Sequence, residues 1–112
     1  MQAGPMRHRI QIQDYTVNRD SANDDVRSYF VFAMAWAEIN TTGGRELFAA
    51  QQQFAEATAL IRMRYIPGVS ERMRVYHAAE STYYDILSVR PDDKSRRETL
   101  TLICRTGISD EA

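Results

Sequence analysis

The feature of this sequence that most constrains the fold is a repeated alternation of apolar and polar residues with a period of two. In residues 7–13, His8, Ile10 and Ile12 share one side and polar residues occupy the other. Successive side chains of a β-strand point to opposite faces, so this period is typical of a strand with one buried face. The same alternation, or an enrichment in aromatic and β-branched residues, recurs in residues 35–41, 59–66, 72–78, 82–90 and 98–105. The chain is therefore predicted to be mainly β, with five to six short strands.

One segment breaks this pattern and predicts a helix. Residues 45–58 contain no Gly or Pro, and Leu47 and Ala50 begin an apolar stripe at helical spacing. Gly43 and Gly44 precede the segment. A helix that follows glycines can bind phosphate, but the Lys-Ser/Thr pair of a P-loop does not follow here. The two glycines are therefore interpreted as a flexible connection between a strand and the helix.

Residues 14–28 form a polar stretch rich in turn-forming residues. We expect a long loop or the open end of a hairpin here, and long loops in small domains are usually functional or disordered. A chain of 112 residues suits one domain with a single core. The expected architecture is a small β-barrel or sandwich of five to six antiparallel strands with one inserted α-helix. The sequence shows no membrane span or signal core, so we expect a soluble protein made in a cytoplasm.

Residues suited to reaction chemistry are few and scattered. His8 and His77 lie far apart in the sequence, each on the predicted inner face of a strand. They could meet as metal ligands only if those strands are neighbours, and buried or interfacial imidazoles are favoured instead. Cys104, the single cysteine, follows Leu102 and Ile103 near the end of the last predicted strand and is interpreted as a buried structural thiol. No carboxylate pair suggests acid–base catalysis, so we expect no enzyme, no cofactor and no bound metal.

Arginine is unusually common, with thirteen Arg against one Lys, although the net charge is only -1. Three predicted strands each carry two arginines two positions apart: Arg7 and Arg9, Arg62 and Arg64, and Arg72 and Arg74. That spacing places each pair on one face of a strand. If the strands on either side of Pro67 and Gly68 pair as a hairpin, four guanidinium groups share one surface. This surface has three interpretations, namely a solvated face, salt bridges between subunits, and contact with a DNA backbone.

Several motifs, taken together in their order along the chain, carry a family likeness. They are the opening residues 3–13, the strand Ala35-Trp36-Ala37-Glu38-Ile39, the helix start Gly44-Arg45-Glu46-Leu47-Phe48, the strand Ile61-Arg62-Met63-Arg64-Tyr65 with its turn Pro67-Gly68-Val69, and the last strands at 84–89 and 100–104. In this order and spacing they resemble the tailed-phage head–tail joining (head closure or stopper) family. The likeness covers about residues 3–105. Tyr29 stands where tryptophan is common in that family, and the polar loop lacks the glycine often found after its Asp residues.

The resemblance implies a non-enzymatic β-barrel subunit of the virion neck, assembled in the cytoplasm of the host bacterium. Such subunits form a ring below the portal and adaptor rings after DNA packaging, close the head and provide the surface to which the tail attaches. The implied partners are portal–adaptor connector proteins, tail terminator or completion proteins, further copies of this chain, and packaged DNA without sequence specificity; no membrane is involved. On this analogy the polar loop is a candidate channel or contact element, ordered only on assembly, with the charged residues Asp14, Asp20, Asp24, Asp25 and Arg27. The six paired arginines are the candidate ring or partner interface.

Two other functions remain open from the sequence. A small-barrel nucleic-acid-binding module would use the arginine pairs against phosphates, and its DNA affinity would fall steeply with salt. A small enzyme would depend on His8 or His77, but the residues around them supply no catalytic set.

Overall fold

Six antiparallel strands close into a barrel in the computed structural model, which describes residues 7–91 and 98–107. The elements are β1 (His8–Arg19), β2 (Asp25–Asn40), α1 (Arg45–Gln53), β3 (Ala59–Arg64), β4 (Arg74–His77), a 3₁₀ turn (Ala78–Glu80), β5 (Thr82–Pro91) and β6 (Thr99–Thr106). Around the barrel the strands follow the order β1-β2-β3-β6-β5-β4, and β4 pairs with β1 to close it. The prediction of a mainly β fold with one inserted helix is confirmed, and the barrel is the form it takes.

The barrel interior is filled by the apolar residues of the alternating segments. The side chains that are 0% exposed include Ile10, Ile12, Ile61, Met63, Val75 and Leu102. They come from four different strands, so each strand depends on the others to exclude water from its inner face. Burial of one such side chain is worth about 1.5–3 kcal/mol relative to leaving it exposed. This core is the main source of stability for the barrel.

The helix α1 lies against the outside of the barrel wall and is shorter than predicted. Leu47 and Ala50 are buried against Leu60 of β3 and Ile103 of β6. Residues 45–58 were expected to be helical, but α1 ends at Gln53. The chain turns there because Ala57, 1% exposed, enters the same apolar cluster. This tertiary contact outweighs the helix propensity of the residues that follow.

The prediction of a long loop at residues 14–28 is wrong, because most of that segment is strand. β1 and β2 form one hairpin whose register runs from His8 opposite Ala37 to Arg19 opposite Asp25. Only residues 20–24 make the turn. In that turn the Asp20 carboxylate accepts the backbone N–H groups of Ala22 and Asp24, each at 2.9 Å. The segment does belong to the end of a hairpin, but that end is closed instead of open, because its strands are paired up to the turn.

Much of this hairpin extends past the barrel. β1 pairs with β4 only through residues 11–13, and β2 pairs with β3 only through residues 37–40. A β-bulge, with Phe32 as the extra residue, interrupts the β1–β2 register where the β1–β4 pairing ends. The molecule is accordingly elongated, with extents of 48 × 28 × 27 Å. We call residues 14–31 the projecting hairpin.

The two strands on either side of Pro67 and Gly68 do not pair with each other, so the condition for a shared surface of four arginines is not met. β3 lies between β2 and β6, whereas β4 lies between β1 and β5. The turn at Pro67 and Gly68 is present, but its connection leads across the barrel instead of back along β3. The sequence also predicts a turn at residues 91–95 and a polar tail at residues 106–112; apart from positions 91, 106 and 107, both lie outside the described residues.

Candidate interaction surface

The six arginines predicted as an interface do not share one surface. Arg72 and Arg74 lie where the projecting hairpin leaves the barrel. Arg9 is on β1 near the opposite end of the barrel, and Arg7 directly precedes that strand. The third pair, Arg62 and Arg64, lies on β3. Because β3 and β4 are not neighbours, the expected surface of four guanidinium groups does not form.

Arg72 joins the connection between β3 and β4 to the projecting hairpin. Its Nε is 2.7 Å from Asp14 Oδ1, and its Nη2 donates to the Tyr15 backbone carbonyl at 2.6 Å. The guanidinium also lies over the Tyr15 ring, 4.3 Å from its centroid. The hydrogen bond from Arg72, together with the Tyr15 backbone N–H, holds the pKa of the Asp14 carboxyl below its ordinary value. The same carboxylate raises the pKa of Arg72.

Arg74 on β4 lies between two aromatic rings and contacts three other strands. Its guanidinium is 3.5 Å from the ring centroid of Tyr29 on β2 and 4.2 Å from that of Tyr83 on β5. Its Nε donates to Gln13 Oε1 on β1 at 2.8 Å. Arg27, on the hairpin itself, lies 4.4 Å from the Tyr15 centroid. We refer to the residues of this array as the Arg–Tyr cluster: Gln13, Asp14, Tyr15, Arg27, Tyr29, Arg72, Arg74 and Tyr83.

The cluster unites members of two predicted sets that the sequence left separate. Asp14 and Arg27 were assigned to the contact loop, whereas Arg72 and Arg74 were assigned to the arginine interface. Among the other charged candidates, Arg62 is 3.3 Å from Glu46 of α1; the Glu46 side chain is largely exposed and that of Arg62 is partly exposed. Asp20, Asp24 and Asp25 are exposed at the hairpin turn, with Arg19 3.7 Å from Asp25. These contacts are solvated and contribute little to stability.

The largest feature that the sequence reasoning missed is a concentration of exposed apolar residues on the hairpin. Among the described residues, eight large hydrophobic side chains are exposed, and seven belong to β1 or β2: Val17, Val26, Phe30, Val31, Phe32, Met34 and Trp36. The eighth is Phe48 on α1. The signal was present in residues 29–36, which are apolar at both odd and even positions. A strand with one face in the barrel and one in solvent requires apolar residues at only every second position.

Arg9 and Trp36 extend this surface along the barrel wall. They are opposite each other in the β1–β2 register, and the Arg9 guanidinium lies 5.2 Å from the Trp36 ring. Trp36 is 53% exposed and Met34 is 49% exposed. Trp, Tyr, Met and Arg are the residues most enriched at protein–protein interfaces. The outer surface of this hairpin therefore has the composition of a contact surface.

The two histidines do meet, because β1 and β4 are neighbours. The rings of His8 and His77 contact edge to face, with centroids 5.0 Å apart. His77 is 3% exposed, and its Nδ1 has no hydrogen-bond partner. Over residues 7–91 and 98–107, no three His, Cys, Asp or Glu side chains are placed to bind a metal ion together. His77 is therefore buried, as the favoured interpretation expects, whereas His8 is only partly buried.

Cys104 is fully buried in the barrel core, as expected. Burial raises the pKa of its thiol far above the ordinary value, so the reactive thiolate is strongly disfavoured. Within the same described ranges, no helix has the length and apolar character needed to cross a bilayer.

Comparison with known structures identifies the barrel in other proteins. The solution structure of protein SF1141 from Shigella flexneri 2a, a structural-genomics target, superposes with a TM-score of 0.75 at 24% identity. The match covers 98% of this chain and 100% of that one. A chain from the virion of a native gene transfer agent particle superposes with a TM-score of 0.57 at 13% identity, covering 92% and 96% of the two chains. At these identities the likeness establishes the shared fold.

Comparison of sequences gives the family. No curated protein is significantly similar to this chain. The family model for the phage head completion protein, however, matches residues 1–107, which is nearly the whole sequence. The barrel and the exposed apolar hairpin fit a protein that acts through contacts with other proteins. The chain belongs to the phage head completion protein family, a family of structural virion proteins.

Proposed function

We propose that this protein forms a ring below the portal and adaptor, closes the head after DNA packaging, and provides the surface to which the tail attaches. The observation that carries the proposal is the apolar hairpin: seven of the eight exposed large hydrophobic side chains in the described chain lie on β1 and β2. Large exposed apolar patches on soluble proteins usually mark interaction sites. Membership of the phage head completion family supports partners that are other components of the virion.

The hairpin has two zones that suit different contacts. Near the barrel, Met34 and Trp36 offer large apolar side chains that a partner can bury. At the turn, Asp20, Asp24 and Asp25 present carboxylates. Carboxylates repel DNA phosphates, so a turn that lines the channel would let packaged DNA pass without holding it. We assign the apolar zone to neighbouring proteins and the turn to the channel or to the ring contact.

Ring contacts between copies would use the candidate arginines that lie outside the Arg–Tyr cluster. Arg9 lies beside Trp36 on the barrel wall, and Arg62 and Arg64 lie on β3, three strands away from β4 and its Arg74 in either direction around the barrel. Weak contacts repeated around an axis become stable when a template raises the local concentration. The purified protein is therefore expected to be a monomer or weak oligomer, and to form its ring on the portal–adaptor connector in the host cytoplasm.

The test is complementation of phage particles that lack this protein. Without it, we expect full-length tails that are unattached to heads, and heads that leak DNA, both visible by electron microscopy. A double variant, Met34→Ser with Trp36→Ser, should reproduce this defect while the purified barrel stays folded by circular dichroism. The matched control is Phe48→Ser, which removes the one large exposed apolar residue outside the hairpin within residues 7–91 and 98–107. Wild-type yields of joined particles from the double variant would refute the assigned surface.

A nucleic-acid-binding barrel is the second candidate, and one observation favours it. Arginines alternate with aromatic rings in the Arg–Tyr cluster, as they do on many surfaces that bind single strands. If this function is correct, DNA affinity should fall steeply with salt and be reduced by Arg27→Ala, which removes an exposed arginine of this cluster. The joining function predicts weak DNA binding and tight association with a portal–adaptor assembly instead.

A further inference from the structure

The projecting hairpin needs support that its own two strands do not supply. Beyond residues 11–13 of β1 and 37–40 of β2, the hairpin has no strand pairing to the rest of the described chain. An isolated two-stranded hairpin is marginally stable at best in water. Side chains on the outside of the barrel must therefore contribute to its order and direction.

We propose that the Arg–Tyr cluster holds the projecting hairpin as a preset arm, ordered and fixed in direction in the free subunit before any partner binds. Arg72, in the connection between β3 and β4, donates hydrogen bonds to the Asp14 carboxylate and the Tyr15 carbonyl of β1. Arg74 contacts Gln13 on β1 and the ring of Tyr29 on β2. Each strand of the hairpin is thus tied separately to the barrel.

The geometry of Arg74 fixes direction as well as order. Its guanidinium is a rigid plane placed between the Tyr29 ring of the hairpin and the Tyr83 ring of β5, a barrel strand. Swinging the hairpin away from β5 would break one of these two stacking contacts. Arg side chains are suited to this role because the planar group stacks on rings and donates hydrogen bonds at the same time.

A second contact restrains the hairpin at the β-bulge. Phe32, the extra residue of the bulge, lies against Gly68 in the connection between β3 and β4. The fit is close, since a Cβ atom at Gly68 would lie 2.9 Å from Phe32 Cζ. The residues that hold the hairpin, Gly68, Arg72 and Arg74, therefore come from one short stretch of chain. The bulge bends β2 at the barrel mouth, and this stretch fixes the bend.

A preset arm changes how assembly would proceed. A segment that orders only on binding loses conformational entropy at that moment, whereas a preorganised one does not. This inference rests on the proposed function only for the identity of the partners that the arm would contact. The order of the hairpin in the free protein stands apart from whether the protein joins heads to tails.

Hydrogen exchange and NMR on the full-length free subunit test the arm. In the wild-type protein, the paired amides of residues 14–19 and 25–31 should be protected, and residual dipolar couplings should fit the hairpin and the barrel with one alignment tensor. The double variant Arg72→Ala with Arg74→Ala should lower protection in these residues about tenfold or more, because an ion pair and several cation–π contacts are lost. Protection in β3 and β6 should not change.

The matched control is Arg62→Ala with Arg64→Ala, which removes two arginines with the same spacing from β3 and should leave hairpin exchange unchanged. Unprotected hairpin amides in the wild-type protein, or equal exchange in the two double variants, would overturn the proposal. If the Arg72/Arg74 variant does not fold, Asp14→Asn removes one contact more mildly and should lower hairpin protection alone. None of these measurements uses a virion component, so a defect in particle assembly cannot be mistaken for failure of the arm.

Discussion

The projecting hairpin continues two strands of the barrel, β1 and β2, but the two regions are stabilised in different ways. Inside the barrel, Ile10 and Ile12 of β1 are 0% exposed. Further along the same strand, Val17 is 53% exposed, and the main contacts are those of the Arg–Tyr cluster. Burial of apolar surface is worth more than exposed ion pairs and cation–π contacts. The difference shows that one hairpin can have a stable root and a distal part whose apolar side chains stay available for partners.

The largest expected effect is on the barrel. Ile61→Ala removes a side chain that is 0% exposed and leaves a cavity, so it should lower the free energy of unfolding by about 2–5 kcal/mol. Urea unfolding followed by circular dichroism measures this loss. Val17→Ala on the hairpin is the control and should change stability by no more than about 0.5 kcal/mol. Similar losses from the two variants would contradict the contrast between the regions.

The next effect concerns the contact between the two regions. Gly68→Ala places a side chain at φ +95° and against the Phe32 ring. It should therefore lower the free energy of unfolding by about 1–3 kcal/mol, as measured by urea unfolding. Gly44→Ala is the control, because φ is +103° there but nothing lies within 4 Å of the added Cβ. The loss in free energy of unfolding for Gly68→Ala, minus that for Gly44→Ala, measures the effect of the Phe32 contact. It should disappear when Phe32 is also changed to Ala, as a double-mutant cycle can show.

A smaller effect depends on pH and tests the junction of the hairpin. The pKa of Asp14 is below its ordinary value of 3.8 because Arg72 donates a hydrogen bond to it. The contact therefore contributes fully above pH 3.8 and is lost as the pH falls through the lowered folded-state pKa. Hairpin amides should lose protection in this acidic range before the barrel unfolds, to a degree reduced by salt. In Asp14→Asn this step should be absent; a step that persists would assign the pH dependence to another group.

The smallest effect concerns the exposed surface of the barrel wall. Arg9→Ala removes the cation–π contact with Trp36 and should lower stability by only about 0.5–1 kcal/mol, as measured by thermal unfolding. Under the proposed function the same change should weaken particle assembly more than it weakens the fold. A large loss of stability would show that this exposed surface stabilises the barrel, and would contradict the contrast between the surface and the buried core.

Local sequence patterns predicted strands and their inner faces correctly wherever a strand has one solvent-exposed face and one buried face. The alternation in residues 59–66 placed Ile61 and Met63 inside the barrel, and both are 0% exposed. The pattern failed in residues 14–28, because the strands of the projecting hairpin have no buried face to impose a period. It also failed at the C-terminal end of α1, where the burial of Ala57 against the barrel stops the helix.

The candidate surface was predicted only in part. Arg72 and Arg74 were identified from their spacing, but their partners Asp14 and Tyr29 lie far away in the sequence and are brought close by strand pairing. The exposed apolar residues were present in the run at 29–36, yet an apolar run is equally typical of a strand buried on both faces. Whether such residues face a core or solvent depends on which strands lie beside them.

The sequence by itself determined the elements: the strands of the barrel, their inner faces, the one helix, and the absence of an evident reactive set. These follow from short-range periodicity and side-chain chemistry, which each segment carries with it. The tertiary structure alone decided that β3 and β4 lie apart, that β1 and β2 project beyond the barrel, and that Arg72 and Arg74 brace them. The physical reason is that closing the barrel selects strand neighbours from across the whole chain, and no local pattern specifies that choice.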